Sequence, residues 1–159
     1  MNLSLSEDQV LIKESAEKFL NLNYSFEKRR SFLENKKEAY KKNWKNFAEL
    51  GWLGLAFSED VGGFDGNINN TMTLMESLGS ALVSEPLIFN NLVVGKFFEK
   101  FLHVKGNEYL KEIISGEKIY SLLFSPNQNY KNLILDTLIV KKENNKTILS
   151  GKYNFIFGL

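Results

Sequence analysis

The chain has 159 residues, with 20 Lys and Arg against 19 Asp and Glu, no Cys and a single His. That length suits one domain, or one domain and the start of another, and a net charge of +1 gives no field of one sign to attract nucleic acid or an anionic membrane. Without Cys there is no disulfide, thiolate metal site or cysteine nucleophile; His103 alone cannot build a His-rich metal centre; and 43% hydrophobic residues are too many for a disordered chain.

The opening MNLSLSEDQ carries acids and no basic stretch ahead of an apolar one, so it does not read as a secretory leader, and no apolar run reaches the ~20 residues of a membrane span. The expectation is a soluble, cytoplasmic protein. Ser6 and Gln9 have capping-box spacing, with Leu5 and Val10 set as a hydrophobic staple, which predicts a helix to about Asn21. Val10, Leu11, Ala16, Phe19 and Leu20 form its apolar stripe. Residues 26–35 read as a short helix and a turn. Tyr40, Trp44, Phe47 and Ala48 predict a second amphipathic helix over 37–50, ended by Gly51 in the left-handed conformation. Five glycines between Gly51 and Gly66 exclude a continuing helix and mark a long ordered loop.

Asn69 or Asn70 is placed to cap a third helix carrying Met72, Met75, Leu78 and Leu82. Pro86 breaks the chain before a fourth helix over 88–102, with Leu92, Val93, Phe97, Phe101 and Leu102 on its apolar face, and a short fifth lies between Asn107 and Gly116. After Gly116 the segments 119–124, 133–140 and 147–157 are rich in β-branched and aromatic residues, and the last two flank a turn centred on Asn144 and Asn145. The expected fold is mainly α: a helical bundle over residues 1–116, then the first strands of an antiparallel β domain over residues 117–159. Two or three strands rarely stand alone, so the β segment reads as incomplete.

Chemical signals are sparse. The loop GWLGLAFSEDVGGFDG matches neither the nucleotide P-loop nor the dinucleotide fingerprint. Its Gly62 and Gly63 either permit a close approach to a ligand or turn the chain between two helices, and at least one is expected to hold a positive φ. Glu59 and Asp60 could serve as acid and base, but adjacent turn residues seldom converge on one atom, and solvated loop acids are the simpler reading. The stripe Lys37, Lys41 and Lys45, with Lys36 and Lys42 beside it, could attract a phosphate-rich ligand; Glu38 and Glu49 dilute it, and Glu38 can pair with Lys42 on a solvated helix face. His103 is placed to close the fourth helix, where the dipole favours a cation. Trp44, Trp52 and the many Phe are most simply core.

Taken together, LSEDQVLIKESAEKFL, WKNFAELGWLGLAFSEDVGGFDG, TMTLMESLGSALVSEP, LKEIISGEK and TLIVKKENNKTILSGKYNF resemble the acyl-CoA dehydrogenase family, in the branch that includes small subunits of pimeloyl-CoA dehydrogenase. The second and third of these stretches are specific. The resemblance implies an N-terminal helical domain of the dehydrogenase type, a middle β domain and a C-terminal four-helix domain, with FAD held between the last two and a second subunit. It implies an oxidoreductase of fatty acid metabolism, a flavoprotein that removes hydrogens from Cα and Cβ of an acyl-CoA, and an electron-transfer acceptor protein as partner. By the same resemblance Gly62, Gly63 and Phe64 lie beside the substrate cavity, and Phe124, Ser125, Phe155 and Ile156 take the cofactor-binding positions. Those four depart from the family: where it carries Thr-Glu-Pro-x-x-Gly-Ser-Asp, only Pro126 persists in Phe124 to Lys131, although Tyr130 fits the branch, and no hydroxyl stands at Ile156.

No catalytic residue is expected in this chain, because the family base belongs in most branches to the C-terminal domain, and no metal site is expected. The chain is therefore expected to be the N-terminal fragment of an FAD-dependent acyl-CoA dehydrogenase, inactive and without FAD when alone, and prone to self-association through Phe124, Ile139, Phe155 and Phe157. The alternative is a non-catalytic helical subunit or interaction module that supports a catalytic partner in a homo- or hetero-oligomer. Neither nucleic acid nor membrane insertion is expected.

Overall fold

The computed structural model describes residues 4–32, 34, 36–122, 139–143 and 146–151, with backbone only at 36 and 37. Among the described residues six α-helices carry the fold: α1 (Glu7–Asn23), α2 (Phe26–Phe32), α3 (Lys36–Glu49), α4 (Ile68–Ser80), α5 (Lys96–Phe101) and α6 (His103–Ile114), with a 3-10 turn at Glu59–Val61 and a π-helical segment at Ile88–Gly95. The capping box forms as expected: Gln9 N–H donates to the Ser6 hydroxyl at 3.3 Å, and Ser6 N–H donates to Gln9 Oε1 at 2.8 Å. Gly51 ends the α3 region with φ +77°. The α4 cap is Asn67, not Asn69 or Asn70. Its Oδ1 accepts from Asn70 N–H at 3.0 Å, so the helix starts two or three residues earlier.

Several expectations fail downstream. Leu82 lies outside α4, at φ +54° and 65% exposed, because the chain turns before Pro86. The single helix over 88–102 is a π-helical segment followed by α5, and its faces are inverted: Asn90, Asn91, Val94 and Gly95 are buried, while Val93, Phe97 and Phe101 are exposed. A helix next breaks at Leu102, and α6 starts at His103 (φ +46°) instead of near Asn107. His103 thus opens a helix instead of closing one, and the dipole argument for a cation there is reversed. Residues 119–122 form no strand.

The main core joins α1, α3, α4 and the start of the glycine-rich loop: Ala16, Leu20, Tyr24, Trp44, Phe47, Trp52, Leu53, Leu74, Leu78 and Leu87. α1 and α4 make the most extensive helix pairing. Within this core Phe47 is fully buried and meets Trp52 at 4.9 Å and Phe19 at 6.0 Å between ring centres, distances at which tilted and edge-on rings attract. Val10 and Leu11 leave the expected stripe of α1 and face outward, Ile12 taking their place against the core. A second cluster, Phe57, Val61, Leu110 and Ile113, joins the loop to α6.

β1 (Ile139–Glu143) and β2 (Lys146–Ser150) pair antiparallel, Val140 facing Leu149 and Glu143 facing Lys146. This register closes around positions 144 and 145, as the expected turn requires; those two lie outside the described residues, as do 123–138 and 152–159. Every residue of the two strands is exposed.

Candidate functional site

The loop over 51–66 folds back on itself. Gly63 N–H donates to Ser58 O at 2.9 Å, Phe64 N–H to Gly54 O at 3.2 Å, Asp65 N–H to Phe57 O at 2.8 Å and Gly66 N–H to Leu55 O at 2.8 Å. The two central glycines serve different ends. Gly62 holds φ +92° in open space, confirming the expected positive φ, whereas Gly63 is buried where a Cβ would stand 2.1 Å from Phe57 O. Gly62 supplies the turn and Gly63 the close backbone approach.

Phe64 caps the fold-back. Its ring lies over Gly51 and Gly54, where added Cβ atoms would come within 2.9 and 3.3 Å of it, yet it is 60% exposed. It lines a cavity of about 400 Å³ together with Leu11, Ile12, Leu50, Gly51, Trp52 and Leu55, with Asp8, Ser15 and Asn70 as the polar members. Such a lining accepts an apolar group and offers no acid–base pair: Asp8 is a solvated acid in the first turn of α1, and Glu59 and Asp60 are exposed. Of the expected cavity residues, only Phe64 lines the space; Gly62 and Gly63 shape the loop that presents it. Phe124, Ser125, Phe155 and Ile156 lie outside the described residues. Lys41, Lys42 and Lys45 are exposed, Lys45 reaching Glu49 at 4.0 Å, and Glu38 forms no ion pair with Lys42 among the described residues.

Sequence reasoning overlooked what holds the loop from below. Asn91 Nδ2 donates to Leu53 O, Asn90 Nδ2 to Asn91 Oδ1 at 3.0 Å, and Tyr120 N–H to Asn90 Oδ1 at 2.7 Å, which ties the π-helical segment to the loop and to the chain after α6. Lys96 Nζ donates to Ala56 O at 2.6 Å and sits 5.1 Å from the Phe57 ring centre. Two adjacent amides inside the apolar run LIFNNLVVG were the available signal, since buried amides demand partners.

A second polar feature was also missed. Glu85, 9% exposed, accepts from Tyr24 Oη at 2.6 Å and Asn43 Nδ2 at 2.8 Å on one oxygen, and from Ser84 N–H at 3.1 Å on the other. Burial, then the Glu85 carboxylate, raise the Tyr24 phenol far above its ordinary range and push Tyr40 up to about 12. Among the described residues no group of three or more acids or His could hold a metal, and no helix is long and apolar enough to cross a membrane.

Comparison with known proteins places these features in a wider frame. Residues 6–117 match the family model described as acyl-CoA dehydrogenase, N-terminal domain. The chain is 28% identical over 136 residues to acyl-CoA dehydrogenase IpdE2 of Mycolicibacterium smegmatis, covering 85% of this chain and 42% of that protein. It is 25% identical over 150 residues to mitochondrial isovaleryl-CoA dehydrogenase of Pongo abelii, covering 92% and 36%. In fold it is similar to a chain of the ChsE4-ChsE5 complex from Mycobacterium tuberculosis, with a TM-score of 0.79 at 14% identity over 95% of this chain and 39% of that one. The chain thus spans about two fifths of the length of these proteins.

Proposed function

The chain belongs to the acyl-CoA dehydrogenase family, and from that premise we propose that it forms the N-terminal portion of an FAD-dependent enzyme that oxidises an acyl-CoA between Cα and Cβ. In this reading residues 1–116 are the helical domain and residues 117–159 begin the middle β domain. The observation that carries it is the family match over 6–117, and an apolar cavity lined by Phe64 supports it. Phe64, Leu11 and Leu55 provide an apolar wall for an acyl chain, and the fold-back at Gly63, held by Asn91 and Lys96, positions Phe64. FAD, when bound, supplies the hydride acceptor. Phe124, Ser125, Phe155 and Ile156 are the proposed flavin-side positions of this chain, and the base that takes the α proton is not among its residues. Assembly with further dehydrogenase subunits and re-oxidation by an electron-transfer acceptor protein in the cytoplasm complete the proposal.

The 159-residue polypeptide by itself is expected to be colourless and inactive, since general-base catalysis alone is worth ~100- to 10,000-fold. The experiment compares its visible flavin spectrum and its dye reduction with a panel of acyl-CoAs against the same residues within the full reading frame, or co-expressed with a partner subunit. Colour and turnover are expected only in the assembled forms. A yellow isolated polypeptide that turns over an acyl-CoA would refute the division of labour, and absence of FAD and acyl-CoA oxidation from every assembled form would refute the activity. The two-subunit neighbour ChsE4-ChsE5 favours one further reading, a non-catalytic subunit, in which the partner alone carries colour and turnover.

A further inference from the structure

We infer that a second cavity, between α2, α3 and residues 82–85, binds a small organic cation of the alkylammonium or quaternary ammonium class. The Glu85 carboxylate is its counter-ion, and Tyr24, Phe32 and Tyr40 supply its aromatic walls. The cavity measures about 350 Å³, within the range of about 300–1,000 Å³ typical of small-molecule sites. Tyr24, Phe32, Tyr40, Asn43 and Glu85 all line it, as does Arg29.

Charge accounting sets the ligand's sign. The three donors that reach Glu85 are a phenol, a carboxamide and a backbone amide, all neutral. They satisfy its hydrogen bonds without bringing a positive charge, and no ion pair to Glu85 occurs among the described residues. A buried carboxylate in that state attracts a cation. Aromatic rings add attraction for an ammonium whose own hydration is weak, as in a methylated amine. The charge of Glu85 is felt across the cavity, because it contributes, after burial, to the raised proton affinity of Tyr40. Arg29 lines the same space without an ion pair to Glu85 among the described residues, so its positive charge opposes a second cation there. The inference does not depend on the acyl-CoA reading.

The test follows the backbone amide of Ser84 and the side-chain amide of Asn43 by nitrogen-edited NMR of the whole chain, because both donate directly to Glu85. Tetramethylammonium chloride is titrated against sodium chloride at equal ionic strength. A saturable shift with tetramethylammonium and none with sodium is expected. Glu85→Gln should weaken binding at least about tenfold, and Arg29→Met should tighten it several-fold by removing the opposing charge. If Glu85→Gln does not fold, Tyr40→Leu serves instead. It leaves the three donors of Glu85 in place, so the free Ser84 amide keeps its parent position while affinity falls about threefold or more. Absence of saturation, an equal response to sodium, or unchanged affinity in the folded variants overturns the inference. So does a shift with inorganic phosphate that disappears in Arg29→Met, which would make the cavity an anion site.

Discussion

Replacing each central glycine of the loop by alanine separates two physical roles that the sequence alone could not tell apart. At Gly62 an alanine must hold φ +92°, with nothing within 4 Å of its methyl group. The left-handed conformation costs about 1–2 kcal/mol, offset by about 0.4–1 kcal/mol of lost unfolded-state freedom, for a net loss near ~1 kcal/mol. At Gly63 the methyl would stand 2.1 Å from Phe57 O and 2.8 Å from Gly54 O. Those carbonyls accept from Asp65 and Phe64, so the backbone cannot retreat without straining both hydrogen bonds. Overpacking at about 1–3 kcal/mol and two hydrogen bonds at about 0.5–1.5 kcal/mol each give a loss of roughly 3 kcal/mol or more. At about 2–4 °C per kcal/mol for a chain of this size, thermal melts followed by circular dichroism should fall by about 2–4 °C for Gly62→Ala and about 6–12 °C for Gly63→Ala. Gly62→Asn should lose less than Gly62→Ala, because Asn tolerates the left-handed region. A Gly63→Ala protein melting with the parent, or a larger loss at Gly62, would refute the close-approach argument.

Phe47→Ala, at a fully buried aromatic centre, is expected to cost about 3–5 kcal/mol in urea denaturation. Tyr24→Phe removes one donor from the Glu85 carboxylate and should cost about 1.5–3 kcal/mol, read as a lower denaturation midpoint at unchanged slope. Stability should also fall at alkaline pH. Unfolded, Tyr40 loses its proton near 10.0, and folded it does so at about 12, so between those values the unfolded chain binds fewer protons and gains weight as pH rises. Tyr40→Phe should make that part of the pH–stability curve shallower, the remaining slope belonging to Tyr24 and Tyr120, whose phenols are raised as well; an unchanged decline between pH 10 and 12 would show that Tyr40 contributes none of it.

What was legible in the sequence was what local chemistry decides. The capping box at Ser6, the left-handed stop at Gly51 and the positive φ at Gly62 each follow from one or two residues and their backbone preferences. The register of β1 with β2 was likewise readable from its turn. Misreadings came where tertiary demands outweighed local pattern. The apolar run after Pro86 gave a stripe through Val93, Phe97 and Phe101, but burial of Asn90 and Asn91 against the loop turned the opposite face inward, because two satisfied amides fix orientation as firmly as apolar area does. The Glu85 site was hidden for the same reason: Tyr24 and Asn43 stand 61 and 42 residues from it, and no spacing rule joins such positions. In the glycine loop the presence of two glycines was plain, but the division of labour between them needed the position of Phe57 O.

The pairing of α1 with α4 also sets a timetable. α1 ends at Asn23 and its partner at Ser80, so roughly 60 residues must be made after the first helix before the second is complete. At about 5–20 residues per second of synthesis, the apolar side of α1 waits on the order of 3–10 seconds on the ribosome for the surface that will cover it. A well-capped helix can form during that interval without a partner, but only as a marginal, fluctuating one. Nascent chains arrested before α4 emerges should therefore expose Ile12 and Leu20 to chaperones, and arrest a few residues after α4 clears the exit tunnel should end that exposure.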